Sequence, residues 1–257
     1  MGRRLGQHFL RSSAAIKKIV AAGEISPDDT VLEIGPGRGI LTEELLKYAG
    51  KVIAVEIDKD LYENLRVKFE KEIELSKLDL ENSDISLFDL SKLEPGPYKL
   101  VANIPYYLTG AILKKFLTGE PQPERMVLLL QKEVVERVLG RKNPSTPLRV
   151  KESILSISVK AYGQPATAGK VPARYFSPAP RVDSAILVIS DISRRFFIKN
   201  ELNEAKFWQV VKKGFAHKRK KLGGNLKNAV PGTTLAQFAD KRAEDLTLKD
   251  WISLSRP

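Results

Sequence analysis

Short apolar runs alternate with stretches in which apolar residues recur every three or four positions, and this alternation fills roughly the first 185 residues. Ser12 or Ser13 caps a helix whose apolar positions Ile16, Ile19 and Val20 fall at helical spacing and which ends near Gly23. Thr30 to Ile34 reads as a short buried strand, followed by a glycine turn and a helix carrying Leu41, Leu45 and Leu46. Lys51 to Ile57 is the next strand and Leu61 to Lys71 the next helix. A weaker strand, Leu78 to Asn82, precedes Ser83-Asp84. Then come a strand at Tyr98 to Ala102, a helix from about Gly110 to Leu117, and a strand at Arg125 to Leu130 running into Gln131-Lys132-Glu133. Strands alternating with helices at this spacing predict an α/β fold, a Rossmann-like, doubly wound parallel sheet with helices on both faces.

After Glu133 the pattern changes. Ser153 to Ala161 and Ser184 to Ser190 both look strand-like with no long helix between them, which predicts antiparallel pairing at one sheet edge. Pro165, Pro172, Pro178 and Pro180 mark an irregular loop between the two. Beyond Asp191 no strand pattern returns: Phe207, Val210, Val211 and Phe215 space helically, and Gly223-Gly224 interrupts. Leu235, Phe238, Leu246, Leu248, Trp251 and Ile252 suggest two more short helices. The expected division is a domain of residues 1–189 and a small all-helical domain of residues 190–257.

Charge sharpens that division. Of the 257 residues, 43 are Lys or Arg and 31 Asp or Glu, a net charge of +12, and residues 190–257 hold 15 of the bases and only 7 of the acids. From Ala205 to Ala239 there is no acid, while Lys206, Lys212, Lys213, Lys218, Arg219, Lys220, Lys221 and Lys227 are all basic. Such a run alone is a solvated surface; appended to a base-modifying domain, it reads as a phosphate-contacting patch. There is no cysteine, so thiolate chemistry is excluded, and His8 and His217 are too few for a histidine metal site. The opening residues lack the apolar core of a signal peptide and no apolar run reaches the length of a membrane span, so a cytoplasmic monomer that needs neither membrane nor metal is expected.

The chemistry must then rest on oxygen, amide and aromatic groups at the carboxyl ends of the strands, where ligands bind in open α/β sheets. Gly35, Gly37 and Gly39 follow the strand ending in Leu32-Glu33-Ile34 and resemble a cofactor turn. Glu56, 21 residues after Gly35 at the end of the following strand, can accept from both hydroxyls of a ribose. Pro36 removes a backbone donor and there is no P-loop lysine, so a nucleoside without phosphates, S-adenosylmethionine, fits better than NAD. Asp84 is placed to accept from the cofactor's adenine amine, with Asp79 and Asp89 as neighbours of comparable claim. In Asn103-Ile104-Pro105-Tyr106-Tyr107, the Asn103 oxygen and a backbone carbonyl near Ile104 can accept both hydrogens of an adenine amine and turn its lone pair toward a methyl donor. Pro105 fixes the bend, and Tyr106 supplies a stacking face, with Phe176 on a proline-rich loop as a second wall.

Six ordered segments resemble the ribosomal RNA adenine dimethyltransferases, and most closely their small-subunit branch. They are Gly6-Gln7-His8-Phe9-Leu10, Glu33-Ile34-Gly35-Pro36-Gly37, Val55-Glu56-Ile57-Asp58, Asn103-Ile104-Pro105-Tyr106, the stretch from Phe176 to Ala185, and that from Gly214 to Leu222. The resemblance implies dimethylation of two adjacent adenosines near the 3′ end of small-subunit ribosomal RNA, within an assembling subunit. It also implies that Gln7, His8 and Leu10 close over S-adenosylmethionine, that Gly35 and Gly37 approach its amino-acid part, and that Glu56 with Ile57 meets its ribose. Asp84 with Ile85 would meet its adenine, and Asn103 would stand between cofactor and target. Lys212, Lys213, Lys218, Arg219, Lys220 and Lys221 would face RNA. The alternatives are the sister family that methylates large-subunit RNA and confers macrolide resistance, and a non-catalytic RNA-binding assembly or transcription factor on the same fold.

Overall fold

The structure is a computed structural model and describes residues 8–93, 96–140, 151–217 and 219–256, with residue 106 described in its backbone alone. Gln7 and Lys218, and the side chain of Tyr106, therefore lie outside the described residues.

In chain order the first elements are β1 (Phe9–Leu10), α1 (Ser13–Gly23), β2 (Thr30–Ile34), α2 (Ile40–Leu45), β3 (Lys51–Glu56), α3 (Lys59–Lys68), α4 (Glu70–Glu74) and β4 (Leu78–Asn82). They continue with β5 (Tyr98–Asn103), α5 (Thr109–Thr118), β6 (Arg125–Gln131), α6 (Lys132–Leu139), α7 (Ile154–Tyr162), β7 (Gln164–Val171), β8 (Phe176–Ser177) and β9 (Ser184–Ser190). Seven strands form one sheet in the order β4-β3-β2-β5-β6-β9-β7. The pairs among β2 to β6 are parallel, and β9 runs antiparallel to β6 with Leu128 opposite Leu187. From β2 the chain winds outward through β3 and β4, then returns to lay β5 on the other side of β2. That reversal opens a crevice at the carboxyl ends of β2 and β5.

The central strands are apolar on both faces because helices cover both. Val31, Val101 and Val127 pack with Ile16, Ile19 and Val20 of α1 in one buried cluster. Helix α1 begins where the Ser12 hydroxyl accepts the Ala15 N–H and ends at Glu24 in a left-handed conformation (φ 48°). Asp58, immediately after β3, caps α3 through the Asp60 and Leu61 N–H groups. The expected single helix to Lys71 is instead two, broken at Phe69 (φ −115°), whose ring is needed in the core.

Three expectations fail for identifiable reasons. Ser153 to Ala161 is not a strand: Ser153 and Ser156 each accept the other's backbone N–H (3.1 and 2.7 Å), a capping box that starts α7 despite the alternating Leu-Ser-Ile-Ser-Val pattern from Leu155 to Val159. The strand that joins β9 at the sheet edge is β7, which carries Pro165; an edge strand tolerates a residue that cannot donate. Gly223 and Gly224 do not interrupt but lie inside a short helix, where a Cβ on Gly223 would stand only 3.3 Å from the Ala239 methyl and carbonyl.

The chain forms two compact units, one of Met1–Val135 with Ala166–Ile192 and one of Glu136–Pro165 with Ser193–Pro257. The expected cut at residue 189 falls close to the last of the three crossings, after Ile192, but α7 belongs with the C-terminal helices, which the misread strand concealed. Those helices are α8 (Arg195–Lys199), α9 (Glu204–Phe215), α10 (Leu222–Leu226), α11 (Gly232–Ala236) and α12 (Leu248–Ser255). Trp251 is fully buried and stacks on Phe215, and Trp208 donates to the Tyr162 hydroxyl (2.9 Å), which itself donates to Glu204.

Candidate functional site

The carboxyl ends of β2, β3, β4 and β5 enclose a cavity of about 400 Å³, within the size range of small-molecule sites. His8, Leu10, Gly35, Gly37, Glu56, Ile57, Asp84, Ile85, Asn103, Ile104, Pro105 and Phe176 all line it. The sequence had scattered these residues across 168 positions; the topology gathers them at one end of one sheet.

The turn after β2 is built for close approach. Gly35 and Gly37 hold φ of 66° and 59°, a region that costs any residue with a Cβ. A Cβ on Gly37 would stand 3.1 Å from the Phe9 ring, whereas one on Gly35 would meet nothing within 4 Å and would fill open space at the cavity. The Gly35 N–H is spent on the Val55 carbonyl (2.9 Å), which ties the turn to β3.

Glu56 ends β3 almost wholly buried. One carboxylate oxygen accepts the Gly37 N–H and the other the Asp58 N–H, both at 2.9 Å. Burial pushes this carboxyl above its ordinary range, while those two backbone donors oppose the rise. Each oxygen keeps a lone pair for a ligand hydroxyl, so the pair suits a vicinal diol. Of the three candidate aspartates only Asp84 lines the cavity. It uses one oxygen on the Ser86 N–H (2.8 Å), while Asp79 pairs with Lys51 and Asp89 caps Ser91 elsewhere. The loop bearing Asp84 is strapped to α5 by Lys115, whose ammonium donates to the carbonyls of Ser86 (2.9 Å) and Phe88 (2.8 Å).

Asn103 ends β5, and its amide nitrogen donates to the His8 carbonyl (3.2 Å). Its oxygen has no partner among the described residues and is left as an acceptor at the cavity. His8 in turn bonds the Pro178 carbonyl (2.7 Å), and β1 pairs with β8, placing Leu10 opposite Phe176. Phe176 is both cavity wall and core, at 5% exposure.

Sequence reasoning assigned no role to Glu33. It sits within β2, is buried, lines the same cavity and leaves Oε2 without a hydrogen bond. Burial, with the Glu56 charge adding to it, raises its pKa to about 8. An acid in the interior of a strand buried on both faces was the available signal. A cationic group entering the cavity would find there a carboxyl ready to ionise. The diol acceptor, open glycine turn and orphaned carboxyl together fit the ribose and amino-acid parts of S-adenosylmethionine.

In the second unit Lys212 and Lys213 lie in the last turn of α9, and with Arg219, Lys220 and Lys221 they are exposed. Lys221 pairs with Asp240 (2.8 Å). Among the described residues no cluster of His, Asp and Glu could hold a metal ion, and no helix is long and apolar enough to cross a membrane.

The family model for ribosomal RNA adenine dimethylase matches residues 2–255. Two similar proteins are named ribosomal RNA small subunit methyltransferase A. The one from Dehalococcoides mccartyi is 38% identical, with 97% of this chain and 86% of the relative covered; the one from Thermosynechococcus vestitus is 38% identical, with 98% and 95% covered. Among solved structures, a dimethyladenosine transferase from Plasmodium falciparum superposes with a TM-score of 0.78 at 27% identity, covering 96% of each chain. The 23S rRNA methyltransferase ErmE gives 0.73 at 26%, covering 96% of this chain and 97% of that one.

Proposed function

Because the chain belongs to the ribosomal RNA adenine dimethylase family, we propose that it dimethylates the exocyclic amines of two adjacent adenosines near the 3′ end of small-subunit ribosomal RNA, using S-adenosylmethionine. The small-subunit assignment is supported by relatives 38% identical that carry that name, against 26% for the large-subunit enzyme. Bound in the cavity, S-adenosylmethionine supplies an electrophilic methyl group. Glu56 accepts from its ribose hydroxyls and Asp84 from its adenine amine. Gly35 lets the backbone approach its amino-acid part, where Glu33 offers a carboxylate to the ammonium.

The observation that carries the reading is Asn103, whose amide nitrogen is held by His8 while its oxygen faces the cavity. An adenine amine is a poor nucleophile because its lone pair is delocalised into the ring. Asn103 accepts one amine hydrogen. A backbone carbonyl near Ile104 accepts the second. Two acceptors so placed draw the nitrogen out of conjugation and aim its lone pair, and the methylated aminium is acidic enough to lose its proton without a strong base. Phe176 walls the base, with Tyr106 as its expected stacking partner. Lys212, Lys213, Arg219 and Lys220, with Lys218 and Lys221, contact phosphates in this reading, and the enzyme works as a cytoplasmic monomer.

The test is transfer of labelled methyl to small and large subunits, offered together, from cells lacking the modification, with the modified positions mapped on the RNA. Dimethylation of two neighbouring adenosines is expected. Label confined to large-subunit RNA, or none at all, would overturn the proposal.

A further inference from the structure

Turning one base out of its stack leaves the adjoining base with a bare face, and aromatic side chains stabilise such bases without regard to sequence. The cavity presents a ring suited to that task. Tyr107 lines it yet is 67% exposed. Its backbone is nonetheless fixed. Residues Tyr106–Leu108 form a 3-10 turn closed by the Leu108 N–H on the Pro105 carbonyl (2.9 Å), and Ile104 and Thr109 on either side are buried. Among the described residues its ring meets no other ring and its hydroxyl has no hydrogen-bond partner. Tyr48 is exposed too, at 46%, but stands away from the cavity, so exposure alone is not the argument.

Lining the cavity while 67% exposed, the Tyr107 ring stands at its rim, beside a base that enters and not beneath it. We infer that Tyr107 stacks on the nucleobase adjoining the target adenosine and so holds the two neighbouring nucleotides in register while one of them occupies the cavity. This rests on the adenosine methyltransferase reading above. A tyrosine whose backbone is already ordered loses little conformational freedom on stacking, which suits a platform for a mobile single strand.

The experiment uses the full chain, saturating S-adenosylmethionine, and small subunits reconstituted with RNA that is either intact or abasic at the nucleotide beside the target. Wild type, Tyr107→Phe and Tyr107→Ala are compared in single-turnover methylation of the target adenosine. Because the ring is exposed, the unfolding midpoints should be close to one another, which confirms that each variant is folded. On intact RNA, Tyr107→Ala should raise the half-saturating concentration about 5- to 150-fold, the range for loss of one stacked base, while Tyr107→Phe keeps most of the affinity. On abasic RNA the wild type should fall to the level of Tyr107→Ala, and the substitution should have no further effect. A Tyr107→Ala loss of equal size on both RNAs, or no loss on intact RNA, overturns the inference while leaving the activity intact. Failure of the wild type to methylate intact RNA overturns the functional reading itself.

Discussion

Replacing Glu33 with glutamine should change how the stability of the free protein depends on pH. Between the ordinary glutamate value of 4.5 and about 8, the folded carboxyl holds a proton that the unfolded chain has released. The folded state therefore binds more protons, and stability falls as pH rises through that window, by about 1.4 kcal/mol per pH unit. The full loss comes to ~5 kcal/mol above pH 8, and about 3 kcal/mol of it is present at pH 7. Below pH 4.5 both states are protonated and the effect is absent. Glu33→Gln keeps the shape and removes the titration, but its amide must itself be buried, at a cost of roughly 1–3 kcal/mol if unpartnered. The absolute stabilisation at pH 7 is therefore small, and the slope is the clean observable. Amide hydrogen exchange of β2 and β5, measured at pH 5.5, 6.5 and 7.5 and corrected for the intrinsic exchange rate, reports opening of the unit that holds Glu33. The advantage of the variant over wild type should widen by about 1.4 kcal/mol per unit across this series. Parallel curves would refute the reasoning, because they would mean that Glu33 is ionised in the folded protein throughout.

Glu56→Ala should weaken S-adenosylmethionine binding by roughly 1.5–3 kcal/mol, the worth of charge-assisted hydrogen bonds to two hydroxyls, and equal calorimetric affinities would remove Glu56 from the ribose site. Asn103→Ala should lower the single-turnover rate ~10²–10³-fold with little change in cofactor affinity; a fully active variant would refute the lone-pair mechanism. Lys115→Ala releases the loop bearing Asp84 and should raise the cofactor dissociation constant severalfold. Since Lys115 lies outside the cavity, Lys115→Arg should restore part of the affinity if strapping is its role. Reversing Lys212, Lys213, Arg219 and Lys220 to Glu should flatten the salt dependence of RNA binding by about 0.7–0.9 in log-log slope per lost contact, and an unchanged slope would return the run to plain solvated surface.

Most of the parallel sheet was legible because its strands are short apolar runs bounded by turn residues, and β4, for all its weak pattern, was bounded correctly at Leu78 and Asn82. The edge was not. In Ile154 to Val159 two serines imitate strand alternation while one of them, with Ser153, supplies the reciprocal caps that favour a helix, and no hydrophobic pattern distinguishes the two. Strand β1 is two residues long and exists through its pairing with β8, more than 160 residues away, which local sequence cannot encode. At the site, glycine spacing and the strand-terminal acid and amide picked out residues that line one cavity. Choosing Asp84 over Asp79 required the loop's path, and Glu33 escaped notice because its significance is burial, not motif.

The aromatic residues divide the molecule in a way that has an optical consequence. Both tryptophans, Trp208 and Trp251, lie in the helical unit, whereas six of the seven tyrosines lie in the unit that holds the cavity. The remaining one, Tyr162, stacks on Trp208 at 6.1 Å and hands its excitation to that indole. Emission excited at the indole absorption edge therefore follows the helical unit alone, and tyrosine emission follows the cavity unit. Melting the native chain while reading both bands shows whether the two units lose structure together or in succession, with no label and no truncation.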